Sequence, residues 1–194
     1  MKPFFCLVTS MLMVLTLFAQ AEEKKIYSQD FKWSITIPEG FQQISEAEWR
    51  KIQNRGAAAI EDTYNEKVTD RPAMVFVFKN NQFNYFEANY QSFDPETDGD
   101  YEAMNQASKE IIYGTFEAQM AGAKLDSSST IELIDGLSFY AFHIEVQLPN
   151  GFAMKMAMYN RLFEKKDLTI GMVTTEDEKR KLLLQALKNS IFGK

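Results

Sequence analysis

The chain has 194 residues, 45% of them hydrophobic, and a formal net charge of −6 at pH 7, which suits one ordinary domain with its own core. Nucleic-acid binding relies on lysine and arginine to neutralise phosphates, so this acidic balance argues against nucleic acid and against anionic membrane surfaces as partners. The single cysteine, Cys6, lies in the N-terminal apolar segment, so the rest of the chain has no disulfide, zinc–thiolate site or cysteine nucleophile.

The N-terminus is typical of a secretory signal peptide. Lys2 precedes an apolar stretch over 4–18, and Ala19–Gln20–Ala21 has the small-x-small pattern of a cleavage site. The apolar stretch is shorter than the about 18–20 residues of a spanning helix, although a retained N-terminal anchor stays open as an alternative. We therefore expect a signal peptide over 1–21 and a single domain over 22–194, exported to the periplasm or cell exterior and free of the membrane after cleavage.

The first half of the mature chain alternates strands and helices. "FKWSITIP" (31–38) alternates apolar and polar residues, which predicts a strand with one buried face. Ser45 and Glu48 have the spacing of a capping box and predict a helix that turns Trp49 inward. "AMVFVF" (73–78) is apolar at every position, as in a strand covered on both faces, and a second strand is predicted over 83–93.

The second half contains most of the predicted sheet. A helix is predicted to start at Asp98 or Asp100, since carboxylates stabilise helix N-termini. Four strands follow, over about 126–134, 137–148, 152–163 and 167–174. Thr175 with Glu178 predicts a capping box for a last helix that buries Leu183, Leu187 and Ile191.

The resulting order is β-α-β-β-α-β-β-β-β-α. Its short hairpins predict a mainly antiparallel sheet, and strands that are apolar on both faces predict an α/β (α+β type) three-layer α/β/α sandwich.

Three stretches resemble the PsbP-like superfamily, which includes the photosystem PsbP proteins, Ran-binding Mog proteins and bacterial exported proteins of the DcrB and LpqN type. These are "FKWSITIPEGF" (31–41), "DGLSFYAF" (135–142) and "SIF" (190–192), and the resemblance covers about 27–192. It implies a protein that binds or assists another macromolecule. The family shares no catalytic residue set, so it implies no catalytic position in this chain.

Three alternating methionines in "GFAMKMAMYN" (151–160) raise the question of a copper site, because thioethers bind Cu(I). "LPNGF" (148–152) fits a three-residue hairpin loop, with glycine at the left-handed position. That loop sets one cross-strand register: Met154 opposite Val146, Met156 opposite Ile144, Met158 opposite Phe142, and Glu145 opposite Lys155. The methionines then share a face with apolar residues and the only histidine, His143, lies on the other face, which predicts core packing.

An acidic loop, "DPETDGDYEAMN" (94–105), resembles a calcium-binding loop in its spacing. Position 12 is Asn105 where a bidentate glutamate is expected, so a helix-capping loop is the competing interpretation. No cofactor is expected otherwise, and weak calcium binding is an open alternative whose ligands would be Asp94, Glu96, Asp98, Asp100 and Glu102.

Aromatic and amide residues mix in "NNQFNYFEANYQSF" (80–93). Flat aromatic rings beside amides suit a sugar or peptide ligand, which makes Phe83, Tyr85 and Tyr90 candidate ligand-binding residues; a core strand is the alternative. No nucleophile motif such as G-x-S-x-G accompanies His143, which favours a structural histidine.

We therefore expect an exported, non-catalytic binding or accessory protein with a protein or glycan partner in the cell envelope. A small exported hydrolase with carboxylates in a cleft and a weak calcium-binding module are the alternatives.

Overall fold

The structure is a computed structural model that describes residues 24–69 and 71–193, so the predicted signal peptide lies outside the described residues. The elements in chain order are β1 Lys25–Ser28, β2 Trp33–Thr36, β3 Gln42–Gln43, α1 Glu46–Tyr64, β4 Ala73–Asn81, β5 Asn84–Ser92, α2 Pro95–Asp98, α3 Tyr101–Gln119, β6 Lys124–Ile134, β7 Leu137–Gln147, β8 Ala153–Phe163, β9 Lys166–Thr174, α4 Asp177–Lys188 and β10 Ile191–Phe192.

Two sheets form the fold. The large sheet has seven strands in the order β3-β4-β5-β9-β8-β7-β6, and the small sheet has three in the order β1-β2-β10. Every strand pair in the described residues is antiparallel. The α+β class and the antiparallel sheet are thus as predicted, while β1, β3, α2 and β10, each of two to four residues, were not predicted.

The large sheet is covered on both faces. On one, here the α3 face, Phe142 and Ile144 pack with Ile112 and Phe116 of α3. On the other, the α4 face, the alternate residues of β7 pack with α4 and the small sheet, in a cluster that includes Phe139, Ala141, Trp33, Leu183 and Leu187. The second outer layer therefore combines a helix with a small sheet, where the sequence suggested helices alone.

The methionine hairpin has the predicted register. Gly151 has φ +85°, and the Leu148 and Gly151 amides close the loop by donating to the Phe152 and Leu148 carbonyls at 2.8 and 3.0 Å. The three methionines oppose Val146, Ile144 and Phe142, as predicted, and pack in the α3-face core. The core interpretation is confirmed.

The predicted helix start agrees with the structure at α1 and differs from it at α4. Ser45 does cap α1, and its hydroxyl accepts from the Glu48 amide at 3.3 Å. The predicted cap at Thr175 is wrong, because Asn84 bonds both the amide and the hydroxyl of Thr175 and the helix starts one residue later, after Glu176. Ile191 is also not a buried helical residue: it lies in β10 and is 53% exposed.

No helix in the described residues is long and apolar enough to cross a membrane.

Candidate functional site

A groove of about 390 Å³ opens on the α4 face, between the β6 edge of the large sheet and α4. We call it the His143 groove. Its walls come from four elements and carry both signs of charge. They consist of Asp126, Ser127, Ser128 and Glu132 from β6, His143 and Glu145 from β7, Tyr159 from β8, and Arg180, Leu184 and Lys188 from α4.

Strand alternation and helix periodicity bring these residues together. A two-residue turn with positive φ at Asp135 and Gly136 joins β6 to β7 and pairs Ile134 with Leu137. The register that follows sets Ser128 opposite His143. On α4, Arg180, Leu184 and Lys188 are spaced four residues apart and form one stripe. The groove therefore has an acidic wall of strands and a basic wall of helix.

His143 is the central polar side chain of the groove. Its Nε2 lies 3.0 Å from Glu132 Oε1, and its ring meets the Tyr159 ring edge-on at 5.8 Å. Its Nδ1 is buried and has no hydrogen-bond partner among the described residues. A serine nucleophile needs a hydrogen bond to its histidine base, and although Ser128 stands opposite His143, no such bond joins them in the described part of the chain.

The groove is lined by charged side chains of both signs and by a tyrosine hydroxyl. Burial and the Glu132 carboxylate raise the pKa of Tyr159 and Arg180 lowers it, with a net rise, so the phenol stays protonated and can act as a hydrogen-bond donor. Lys155 pairs with Asp177 at 2.8 Å and with Glu145 at 3.9 Å. Neither Arg180 nor Lys188 lies within 4.0 Å of a carboxylate oxygen in the described residues.

A second polar cluster lies between α3 and the large sheet. Tyr101 donates to Asp167 at 2.6 Å, and Asn160 donates to Thr169 at 2.7 Å. Burial raises the pKa of Asp167, which is 2% exposed, and burial together with the Asp167 charge raises that of Tyr101. Because its partners are internal, this cluster serves to hold α3 on the sheet.

The structure separates the three aromatic candidates. Phe83 is exposed within the β4–β5 turn and packs on Phe152 with ring centroids 5.7 Å apart. Tyr85 lies on the α3 face, where burial and then the Glu87 charge raise its pKa. Tyr90 lies on the α4 face against Phe31 at 5.4 Å. Successive strand residues alternate between faces, so β5 cannot place Tyr85 and Tyr90 on one surface.

The candidate calcium ligands mostly serve as caps. Asp94 caps α2 and pairs with Lys165 at 3.0 Å, and that lysine holds the pKa of Asp94 below its usual value. The Asp98 carboxylate accepts from the Asp94 amide at 2.7 Å, and Asp100 caps α3. Glu96 and Glu102 are exposed in the first turns of these helices. Within the described residues, no three such side chains group as they would around a metal, and calcium binding stays a prediction.

Comparison with known proteins identifies the fold only. No protein-family model matches the chain, and no curated protein is similar enough to match. Among solved structures, cyanobacterial PsbP (CyanoP) from Synechocystis is similar over 88% of this chain and 92% of its own, with 9% identity and a TM-score of 0.53. The PsbP-like resemblance is therefore confirmed at the level of the fold.

Two further structures are more distantly similar. A protein from Bacteroides thetaiotaomicron aligns with 89% of this chain and 49% of its own, at 11% identity and a TM-score of 0.49. The Ran-binding protein Mog1p of Saccharomyces cerevisiae aligns with 88% of this chain and 95% of its own, at 10% identity and a TM-score of 0.44.

Proposed function

We propose that the protein is an exported, non-catalytic binding protein of the periplasm or cell exterior, and that its His143 groove holds a segment of a partner protein of the cell envelope. The observation that carries the proposal is the pair of facing walls, acidic on β6 and β7 and basic on α4. The N-terminal pattern of Lys2, the apolar stretch and Ala19–Gln20–Ala21 supports export.

The groove suits an extended peptide segment that carries both charges. Arg180 and Lys188 are available to carboxylates, and Asp126 on the facing wall is available to lysine or arginine. Glu145 lies on the same wall and pairs with Lys155 at 3.9 Å. Leu184 lies between the two basic residues and offers an apolar contact. A charge pattern of this kind sets register and excludes partners of one sign. A glycan is the less favoured partner, since Phe83, Tyr85 and Tyr90 do not share a surface.

The test is capture of partners from an envelope extract of the source organism by the immobilised protein, with and without millimolar calcium. The groove variant is Arg180→Glu with Lys188→Glu. The matched control, Lys51→Glu with Lys181→Glu, makes the same change of charge at two exposed positions outside the groove. We expect a partner that the unaltered protein and the control retain, and that the groove variant retains about tenfold less, as loss of buried charge contacts implies.

Equal retention by the groove variant and the control would overturn the groove assignment. Retention that requires calcium would support the proposal that Asp94, Glu96, Asp98, Asp100 and Glu102 bind this ion weakly. Detection of a mature N-terminus at Glu22 by mass spectrometry would test the predicted cleavage.

A hydrolase with carboxylates in a cleft is the second candidate, and the groove favours it because it holds Asp126, Glu132 and Glu145, with Glu132 in contact with His143. Such an enzyme would hydrolyse an ester or glycoside, and both Glu132→Gln and His143→Gln would abolish the activity. We expect no turnover that depends on these two residues. Turnover that both substitutions remove would replace the binding proposal.

A further inference from the structure

Strand β6 is a long and regular edge of the large sheet. It has 11 residues and pairs with β7 along its whole length without a bulge. Most of its residues are exposed, and Ile131 and Leu133 are 66% and 67% exposed. Soluble proteins usually block such edges with prolines, bulges, very short strands or charged side chains. The opposite edge strand, β3, has only two residues, whereas β6 has no proline or bulge and is protected only by the charges of Lys124, Asp126 and Glu132.

The β6–β7 turn determines which backbone groups of β6 are unpaired. In a hairpin with a two-residue turn, the residues that flank the turn form a hydrogen-bonded pair, and such pairs recur at every second residue. Ile134 flanks the turn, so the even-numbered residues of β6 bond to β7. The odd-numbered residues, from Leu125 to Leu133, direct their N–H and C=O groups away from the sheet.

We propose that this edge pairs with β6 of a second copy of the chain, antiparallel, about a two-fold axis at Ser128. In this register, the odd-numbered residues of both copies meet as hydrogen-bonded pairs. Leu125 of each copy lies opposite Ile131 of the other, and Lys124 lies opposite Glu132. Apolar pairs and opposite-charge pairs of this kind stabilise antiparallel strands.

Neighbouring registers are disfavoured by charge. An axis at Ser129 would set Asp126 of each copy opposite Glu132 of the other, and directly opposed like charges destabilise a sheet. An axis at Ser127 would leave Glu132 without a facing strand residue. An axis midway between two residues would set odd-numbered residues of one copy opposite even-numbered residues of the other. The free N–H and C=O groups would then not match, and the apolar side chains of the two copies would lie on opposite faces. The register at Ser128 thus best satisfies both the charges and the apolar side chains.

The dimer would join the two His143 grooves. A two-fold axis perpendicular to the sheet keeps the α4 faces of both copies on one side. Asp126, Ser128 and Glu132 line the groove, so the two grooves would meet along the paired strands. The inference goes beyond the proposed function and does not depend on it, because it rests on the edge, the turn and the strand sequence.

The first experiment is sedimentation velocity over a range of protein concentrations. We expect a dimer, and we expect Lys124→Glu to weaken it about tenfold, because each of the two attractive pairs becomes a repulsive one. Lys124→Glu combined with Glu132→Lys should restore the dimer, since the charges then face each other in the reverse order. Lys51→Glu, at an exposed position on α1, is the charge-matched control and should leave the dimer unchanged.

The second experiment tests the register by cysteine cross-linking. In a chain with Cys6→Ser, which leaves no other thiol, single cysteines are placed at each position from 126 to 130. Directly opposed residues in non-hydrogen-bonded pairs are about 4.5 Å apart between Cα atoms, within the range of a disulfide. Position 128 alone faces itself across the axis, so Ser128→Cys should cross-link most rapidly under mild oxidation.

A monomer at all concentrations would overturn the proposal. So would a dimer that Lys124→Glu leaves unchanged, or a cross-linking maximum at a position other than 128. Circular dichroism spectra that match those of the unaltered protein establish that each variant is folded before its assembly is compared.

Discussion

Glu87 is a carboxylate that β5 places beneath α1, on the α3 face. The Trp49 indole N–H donates to its Oε2 at 2.8 Å, and Gly171 on β9 leaves room for it, since a Cβ there would come within 3.2 Å of the Glu87 side chain. Burial raises the pKa of Glu87, and the bond from Trp49 only partly offsets the rise. The folded protein therefore holds this proton more tightly than the unfolded chain does, so the stabilisation that Glu87 contributes is complete below its ordinary pKa of about 4.3 and is lost as pH rises through the raised value.

We predict that Glu87→Gln stabilises the protein at pH 7. Glutamine keeps an acceptor for Trp49 and removes the buried charge, so the free energy of unfolding should rise by about 1 kcal/mol, a typical size for a single substitution. The gain should shrink as pH falls towards about 4, where the unaltered Glu87 is protonated. Urea unfolding at a series of pH values measures both effects, and Glu96→Gln at an exposed position is the control. A variant less stable than the unaltered protein at pH 7 would contradict this account.

At the scale of single elements, the sequence predicted what is decided locally. The β7–β8 hairpin was predictable down to its register, because a proline, an asparagine and a glycine specify the loop and alternation specifies the faces. The start of α4 was not predictable, because Asn84, far away in sequence, forms hydrogen bonds with the amide and the hydroxyl of Thr175. The His143 groove was missed for the same reason: β6, β7 and α4 each contribute part of it, and only the fold brings them together. The one local signal was the alternation that turns His143 and Glu145 away from the methionines.

Replacing glycine by alanine should have opposite effects on stability in the β7–β8 loop and in helix α1. Gly151 has φ +85° in the β7–β8 loop, where a side chain is strained, so Gly151→Ala should lower the free energy of unfolding by about 1 kcal/mol. Gly56 lies within α1, and nothing lies within 4 Å of the Cβ that alanine would add. Gly56→Ala should therefore stabilise by about 0.5–1 kcal/mol. Urea unfolding of both variants measures the difference. A neutral or stabilising Gly151→Ala would refute the assignment of Gly151 to a left-handed loop position, and a destabilising Gly56→Ala would contradict the prediction for α1.

At the scale of the whole molecule, the small sheet completes the core. Trp33 of β2 is fully buried, and Phe192 of β10 stacks on it with ring centroids 4.9 Å apart and planes within 6°. Phe192 also contacts Phe139 and Phe163 of the large sheet, at 5.7 and 5.6 Å. Helical spacing predicted Ile191 as the buried residue. Because α4 ends at Lys188 and the chain turns into a strand, the buried side chain is that of the next residue, Phe192.

We predict that Phe192→Ala lowers the free energy of unfolding by about 3–5 kcal/mol, the usual effect of truncating a buried phenylalanine. The adjacent Ile191, 53% exposed, is the matched control, and Ile191→Ala should change stability by less than about 0.5 kcal/mol. Chemical denaturation of the two variants checks both values. A larger loss at Ile191 than at Phe192 would contradict the burial of Phe192 and the exposure of Ile191.

The pairing of β2 with β10 also determines an order of events during folding. It joins residues 33–34 to 191–192, almost the full described length, whereas β6, β7, β8 and β9 pair as successive hairpins. Closing a long loop costs more entropy than closing a hairpin, so local pairs form early and distant pairs late. The hairpins should assemble first, and the indole of Trp33 should stay accessible to water until the segment with Phe192 docks. A nascent chain would thus seal its core only after both distant segments had left the ribosome.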